Sequence, residues 1–146
     1  MRIVLDSSAL AKRYFEESGS AEVEEALGRA SALGLSVICF PEIVSALNRR
    51  LREGILSPAE YRSVKARLVA DIQDATMLNL TPAVIGRATI LLERNPIRAM
   101  DALHVACAIA WDADLFVSAD RRQTMAAENE GLRTIGVGIG DDIPSP

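Results

Sequence analysis

Two hydrophobic periods alternate along the chain and predict its secondary structure. Short apolar runs rich in Val, Ile and Leu are typical of buried strands. Such runs lie at residues 2–5, 35–40, 76–80, 115–120 and 133–140. Between them are longer segments in which apolar residues recur about every 3.6 positions, the period of a helix that packs on one side. The pattern therefore predicts strands that alternate with helices.

Capping and turn residues predict where the helices begin and end. Ser57, Pro58 and Glu60 form a capping-box sequence, in which Ser caps the helix and Glu bonds back to it. The apolar rhythm over 20–33 predicts a helix, with Gly34 as its C-terminal stop. The full set of predicted helices is 6–17, 20–33, 41–52, 58–74, 81–94, 101–111 and 121–131.

This order of elements predicts an α/β fold. Parallel strands need long crossover connections, and helices usually provide them, so both faces of the sheet become covered. We predict a three-layer α/β/α domain around a central, mainly parallel sheet of four or five strands. No repeat or linker divides the chain, so residues 1–146 are predicted to be one domain, in which 141–146 form a frayed tail.

Composition narrows the possible functions. A chain of 146 residues with 49% hydrophobic residues can bury a substantial core without disulfides or structural metals. The net charge of -4 argues against a broad positive face that coats duplex DNA, although a local basic groove stays possible. Aromatic residues make up only 4% of the chain, which disfavours platforms for base stacking.

The cysteines and the absence of long apolar runs indicate a cytoplasmic location. Cys39 and Cys107 lie inside apolar runs, where a thiol usually behaves as a small buried hydrophobe. Their spacing does not resemble that of metal ligands. No secretory h-region is present, and no apolar run approaches the roughly 20 residues that span a bilayer. We therefore expect a protein of the reducing cytoplasm that makes no contact with membranes.

Four acids lie where a predicted strand or turn gives way to a predicted helix: Asp6, Glu42, Asp101 and Asp120. Each one singly has a common structural explanation, because Asp caps helices and first-turn acids favour the helix dipole. Their joint placement indicates more. The carboxyl ends of parallel strands face one edge of the sheet, where ligands bind, so these side chains are expected to converge.

Clustered carboxylates indicate a site for divalent cations. They repel one another and raise one another's pKa values unless a cation holds them, and oxygen ligands select hard ions such as Mg²⁺ or Mn²⁺. Such ions activate water for the hydrolysis of phosphodiester bonds, and no side-chain nucleophile is then needed. The chain fits that chemistry, because it has a single His and no Ser in a G-x-S-x-G turn.

Other acid sites of α/β proteins fit the residues less well. A phosphatase with an aspartyl nucleophile requires a second Asp two positions after the first, where this chain has Ser8. A phosphoacceptor domain requires an Asp after the third strand and a Lys after the fifth, and neither is present. No glycine loop of the kinds that bind nucleotides occurs.

The local contexts of the four acids resemble the PIN domain family and, within it, the VapC-type toxins of bacterial and archaeal toxin–antitoxin pairs. The similar segments are D-S-S-A-L at 6–10, P-E-I-V-S-A-L at 41–47, M-D-A-L-H-V-A-C-A at 100–108 and L-F-V-S-A-D-R-R at 115–122. The resemblance extends to A-A-E-N-E-G-L-R-T-I at 126–135, so it covers nearly the whole chain.

The resemblance implies a metal-dependent endoribonuclease that hydrolyses RNA phosphodiester bonds with Mg²⁺ or Mn²⁺. It assigns Asp6, Asp101 and Asp120 as metal ligands and Glu42 as a ligand or an outer acid that orients water. All four are thus the predicted catalytic residues. Ser8 and Ser118 match small hydroxyl positions that support the ligands. The resemblance further implies a homodimer, and a VapB-like antitoxin that covers a groove formed by residues 9–34 and 45–68.

Some signals keep more than one interpretation. His104 could face the site or fill the edge of the core, and we favour the structural role. The arginines near the acids could contact RNA phosphates or be surface charge; these are Arg49, Arg50, Arg52, Arg94, Arg98, Arg121 and Arg122. Two other functions stay open, namely a PIN nuclease that processes RNA without an antitoxin and a non-catalytic module that binds RNA or protein. Occupation of all four acidic positions argues against the latter.

Overall fold

The computed structural model describes residues 1–139, which form a five-stranded sheet and the helices around it. The strands are β1 (Arg2–Leu5), β2 (Ala32–Ser36), β3 (Thr76–Leu78), β4 (Leu115–Ser118) and β5 (Thr134–Gly136). The helices are α1 (Ser7–Ala11), α2 (Ser20–Gly28), α3 (Cys39–Arg52), α4 (Pro58–Asp74), α5 (Pro82–Arg94), α6 (Ala99–Ala110) and α7 (Arg121–Asn129). The predicted tail at 141–146 and the last residue of the predicted fifth strand lie outside the described residues.

The sheet is parallel throughout and has the order β3-β2-β1-β4-β5. The central strand β1 pairs with β2 on one side and with β4 on the other. Ile3, Val4 and Leu5 are fully buried, as expected for a strand covered on both faces. The predicted α/β class is therefore confirmed, and its parallel sheet has the upper number of strands predicted.

Two hydrophobic cores lie on opposite faces of this sheet. Successive side chains of a strand point to opposite faces, so Ile3 and Leu5 enter one core and Val4 enters the other. The first core is completed by apolar residues of α1, α2, α3 and α4. The second is completed mainly by α5 and α6, which pack on Val4 and Phe116. The three layers α/β/α are thus built as predicted.

The second strand was predicted in the wrong place. The predicted helix over 20–33 ends at Gly28, and the chain is already extended in β2 (Ala32–Ser36), before the predicted strand at 35–40. Pairing with β1 determines this register and overrides the helical rhythm of the sequence. Gly34 consequently lies inside the strand, where a Cβ atom would come within 2.7 Å of the Trp111 ring.

The third helix begins earlier than predicted, at Cys39 rather than at Pro41, because β2 ends at Ser36. The helix α6 also begins early, at Ala99, so Asp101 lies within its first turn. The predicted capping box is present: Ser57 accepts a hydrogen bond from the Glu60 amide, and the Glu60 side chain accepts one from the Ser57 amide. Cys39 and Cys107 are both buried, as predicted.

Within residues 1–139, none of the helices combines the length and the apolar character that crossing a membrane requires.

Candidate active site

All four acids lie on segments that follow the carboxyl ends of strands or open helices. Asp6 directly follows β1 and caps α1, and Asp120 follows β4 and caps α7. These two strands are neighbours, and the Asp6 amide donates a hydrogen bond to the Val117 carbonyl at 3.1 Å. Glu42 and Asp101 lie in the first turns of α3 and α6. The connections of the parallel sheet therefore bring residues from distant parts of the chain to one edge.

Three of the four acids line one cleft of about 900 Å³. Glu42, Asp101 and Asp120 share its wall with Arg98, Arg121 and Arg122, and the segment Pro96 to Met100 completes it. Asp6 lies outside this lining and is only 3% exposed. The structure thus separates one buried acid from three that face the cleft, a difference that the sequence pattern does not reveal.

Asp6 is held by several hydrogen-bond donors. Its carboxylate accepts hydrogen bonds from the Ala9 amide at 2.9 Å, from the Ser118 hydroxyl at 2.7 Å and from the Ser8 hydroxyl, which lies 2.7 and 2.8 Å from its two oxygens. Burial raises the pKa of Asp6 above its ordinary value, whereas these hydrogen bonds and the charge of His104 oppose the rise. Ser8 therefore contacts the first acid, beside which it lies in the sequence, whereas Ser118, which lies beside the fourth acid, donates to the first one.

The same two serines tie Asp6 to the Asp120 segment. Ser118 Oγ accepts a hydrogen bond from the Asp120 amide at 2.9 Å, and Ser8 Oγ accepts one from the Ala119 amide at 3.0 Å. Each hydroxyl thus donates to the Asp6 carboxylate and accepts from the main chain beyond β4. The position of Asp120 is in this way coupled to that of Asp6.

Glu42 is anchored through one carboxylate oxygen. Its Oε1 atom lies 2.7 Å from the Ser7 hydroxyl, which donates to it, and 2.5 Å from His104 Nε2. Burial by itself would raise the pKa of Glu42, but the hydrogen bonds from His104 and Ser7 outweigh it, so the pKa of Glu42 is below its ordinary value. Glu42 therefore stays ionised in the cleft.

His104 combines the two roles between which the sequence left a choice. Its side chain is 2% exposed and packs at the edge of the core, as the favoured structural role requires. Its Nε2 atom nevertheless contacts Glu42, one of the acids that line the cleft. The other ring nitrogen, Nδ1, is buried without a hydrogen-bond partner within the described chain.

Asp101 and Asp120 repel each other across the cleft. Burial raises the pKa of Asp101, the negative charge of Asp120 raises it further, and Glu42 adds a smaller rise. His104 and the Arg98 amide oppose these effects without cancelling them. Asp120 accepts a hydrogen bond from the Arg122 amide at 2.9 Å as the cap of α7. The cleft therefore holds negative charge that its own hydrogen bonds leave only partly compensated.

The donor set fits a hard divalent cation. Within residues 1–139, no three His, Cys, Asp or Glu side chains form a ready-made group around a common point. However, Glu42, Asp101 and Asp120 offer oxygen ligands to one cleft, where burial and then the charge of Asp120 raise the pKa of Asp101. These three residues would hold such an ion, with Asp6 coupled to them through Ser118.

Two residues of this site were missed at the level of sequence. Gln123 is fully buried; its amide nitrogen donates to the Asp101 carbonyl at 3.1 Å, and its amide oxygen lies 3.2 Å from Ser118 Oγ. Ser7 was passed over in favour of its neighbour Ser8. The sequence does contain a sign of the role of Gln123. It lies one turn after Asp120, on the same buried face of α7 as Ala126 and Ala127.

The arginines near the acids have different surroundings. Arg98, Arg121 and Arg122 line the cleft, and Arg49 lines an adjoining groove of about 410 Å³ that also reaches Glu42. Arg50 instead lies over the Phe15 ring at 4.0 Å, and Arg94 forms an ion pair with Glu130 at 3.5 Å. Only some of the predicted arginines are thus placed to meet a ligand of the cleft.

Several solved structures have the same fold as this chain at low sequence identity. VapBC2 from Rickettsia felis, solved bound to a promoter DNA fragment, has a TM-score of 0.68 at 12% identity, over 94% of this chain and 99% of that chain. VapC20 from Mycobacterium tuberculosis, described as a toxin that cleaves the sarcin-ricin loop, has a TM-score of 0.66 at 16% identity, over 85% and 94%. FitAcB from Neisseria gonorrhoeae has a TM-score of 0.66 at 15% identity, over 92% and 96%.

Sequence comparison gives the family directly. No curated protein has a sequence that matches this chain. The family model described as PIN domain matches residues 3–129, a span that contains all four acids, the strands β2, β3 and β4, and all of β1 except its first residue. The chain therefore belongs to the PIN domain family.

Proposed function

We propose that this protein is a metal-dependent endoribonuclease, that it hydrolyses RNA phosphodiester bonds, and that it is the toxin of a type II toxin–antitoxin pair. The observation that carries the proposal is the cleft in which Glu42, Asp101 and Asp120 face one space beside Arg98 and Arg122. Membership in the PIN domain family supports a nuclease. VapC20, a toxin of similar fold, supports the biological role.

The acids have distinct parts in the proposed reaction. A bound Mg²⁺ or Mn²⁺ ion would supply activated water and stabilise charge on the leaving oxygen. Asp101 and Asp120 would hold the ion, and Glu42 would contribute a carboxylate whose Oε1 atom is already fixed by Ser7 and His104. Asp6 completes the predicted set of ligands from its buried position, and Ser118 couples it to Asp120.

The arginines of the cleft are proposed to bind the phosphate groups of the RNA substrate. Arg98 and Arg122 are exposed on the wall that carries Asp101 and Asp120, so a phosphate group approaching the ion would lie between negative ligands and positive side chains. A chain of net charge -4 needs such local positive charge to hold RNA. Substitution of these two arginines is expected to weaken RNA binding and reduce its dependence on salt.

A VapB-like antitoxin and a second copy of the chain are the proposed protein partners. VapC20, one of the proteins of similar fold, is described as a toxin, which supports an antitoxin here. Candidate surfaces are the groove of Pro41, Ser45, Ala46, Arg49 and Met100 beside the active cleft and the exposed face of α4 at Arg62, Lys65, Ala66 and Val69. The buried free thiols of Cys39 and Cys107 support a cytoplasmic location.

Cleavage of structured RNA by the purified protein tests the proposal. We expect cleavage with Mg²⁺ or Mn²⁺, none with EDTA, and a loss of about 100-fold or more in Asp101→Asn, comparable to removal of one charge-stabilising group from an active site. Val105→Ala, on the buried side of the same helix, is the matched control and should retain cleavage. Cleavage that survives EDTA and Asp101→Asn would overturn the metal mechanism. Active protein with no antitoxin gene beside it would favour RNA processing, and inactive protein that still binds RNA would favour a binding module.

A further inference from the structure

We infer that His104 and Ser7 are positioning residues that fix the orientation of Glu42 and leave its second oxygen to the cleft. The inference rests on the proposed function and specifies how one member of its acid set is controlled. The hydrogen bonds from Ser7 at 2.7 Å and from His104 at 2.5 Å are both to the same atom of Glu42, Oε1. Glu42 also lines the cleft, and within residues 1–139 its other oxygen, Oε2, has no hydrogen-bond partner.

The chemistry of the three groups determines the direction of each hydrogen bond. An ionised carboxylate can only accept, so His104 carries its hydrogen on Nε2 and donates to Glu42. Ser7 has one hydroxyl hydrogen, and the short contact to Oε1 places it there. The remaining contacts of Ser7, with His104 Nε2 at 3.3 Å and with Cys39 Sγ at 3.4 Å, complete a compact cluster behind Glu42. Two donors from different helices therefore hold one oxygen.

The buried Nδ1 atom of His104 indicates that the contact between His104 Nε2 and Glu42 is functional. His104 is 2% exposed, and its Nδ1 atom is buried without a hydrogen-bond partner within the described chain. A buried polar atom without a hydrogen bond lowers the free energy of unfolding, and an apolar residue at the same position would avoid that loss of stability. A residue that served only to fill the core would therefore not need to be His. Orientation of an acid by an outer hydrogen bond is an established use of such a side chain.

The test compares variants at position 104 in two backgrounds. His104→Phe keeps a buried ring and removes the donor; we expect RNA cleavage and Mn²⁺ affinity, measured by titration of free Mn²⁺ with electron paramagnetic resonance, to fall about 10- to 100-fold. His104→Gln places an amide nitrogen near the site of Nε2 and should recover most of both. In a Glu42→Gln background, His104→Phe should have no further effect, because it acts through Glu42.

The controls separate positioning from simple packing. Val105→Ala, on the same helix and fully buried, should lower the melting temperature while leaving Mn²⁺ affinity unchanged. If His104→Phe does not fold, Ser7→Ala removes the other donor and is expected to weaken Mn²⁺ binding in the same direction. The inference is overturned if wild type cleaves RNA and His104→Phe matches it, or if the two losses at 42 and 104 add fully. A wild type that cleaves no RNA overturns the proposed function instead.

Discussion

Asp6 and Asp101 lie at the same edge of the sheet, yet the protein surrounds their carboxylates in different ways. Asp6 is buried and accepts hydrogen bonds from Ser8, Ala9 and Ser118. Asp101 lies at the cleft, where Asp120 and Glu42 add negative charge. The pKa of each is raised, by burial in Asp6 and by burial together with repulsion in Asp101. The fold thus surrounds the Asp6 carboxylate with hydrogen-bond donors, whereas it leaves the Asp101 carboxylate beside two other acids.

The strongest test of this difference is stabilisation by a divalent ion. An ion that binds only the folded state stabilises it by about 2.7 kcal/mol at 100 times its dissociation constant. We expect Mn²⁺ to raise the melting temperature of the wild type, and Asp101→Asn to abolish most of that rise. Thermal unfolding followed by circular dichroism, with and without Mn²⁺, measures the effect. An equal rise in Asp101→Asn would place the ion elsewhere.

Substitution of Asp6 by Asn should instead destabilise the protein without metal, because an NH₂ donor group replaces one of the two acceptor oxygens. In Asp6→Asn, the side-chain amide would face hydroxyl and backbone N–H donors that bind a carboxylate in the wild type. We expect a loss of about 1–3 kcal/mol in the free energy of unfolding. Urea denaturation in EDTA measures it. Ser118→Ala removes one donor and should show a smaller loss. An Asp6→Asn protein as stable as the wild type would contradict the view that these hydrogen bonds hold Asp6.

The sequence was sufficient to predict much of this comparison but not its central point. The alternation of strands and helices, and the position of Asp6 and Asp120 just after strands, followed from hydrophobic periods and the geometry of parallel sheets. The pairing that makes these two strands neighbours did not follow from them. The register of β2 was missed, because pairing with β1 overrode a helical rhythm. The burial of Asp6, and the contacts of Gln123 and His104, depend on side chains more than 20 positions apart. No local pattern encodes such contacts.

The pH dependence of stability should distinguish the repelled acid from a neutral substitute. Because the pKa of Asp101 is raised in the folded state, its stabilising contribution is present at low pH and is lost as pH rises through that pKa. In EDTA at pH 7, Asp101→Asn should therefore be the more stable protein, even though the dipole of α6 favours a charge there. The difference should shrink as pH is lowered toward the raised pKa of Asp101. Urea denaturation at several pH values measures it, and a difference of opposite sign would show that the cleft tolerates the charge.

The smallest expected effect concerns the access of solvent to the interior behind the cleft, which the reactivity of the Cys39 thiol measures. Cys39 is fully buried beside Ser7, and burial, with smaller contributions from Asp6 and Glu42, raises the pKa of its thiol to about 12. Since the thiolate is the reactive species, iodoacetamide at pH 8 should leave Cys39 unmodified in the folded protein and label it in urea. Mass spectrometry of the Cys39 peptide measures this. Rapid labelling of Cys39 in the folded protein, with Cys107 still protected, would mean that water reaches the Ser7 side of Glu42. The surroundings of Asp6 and Asp101 would then differ less than their hydrogen bonds indicate.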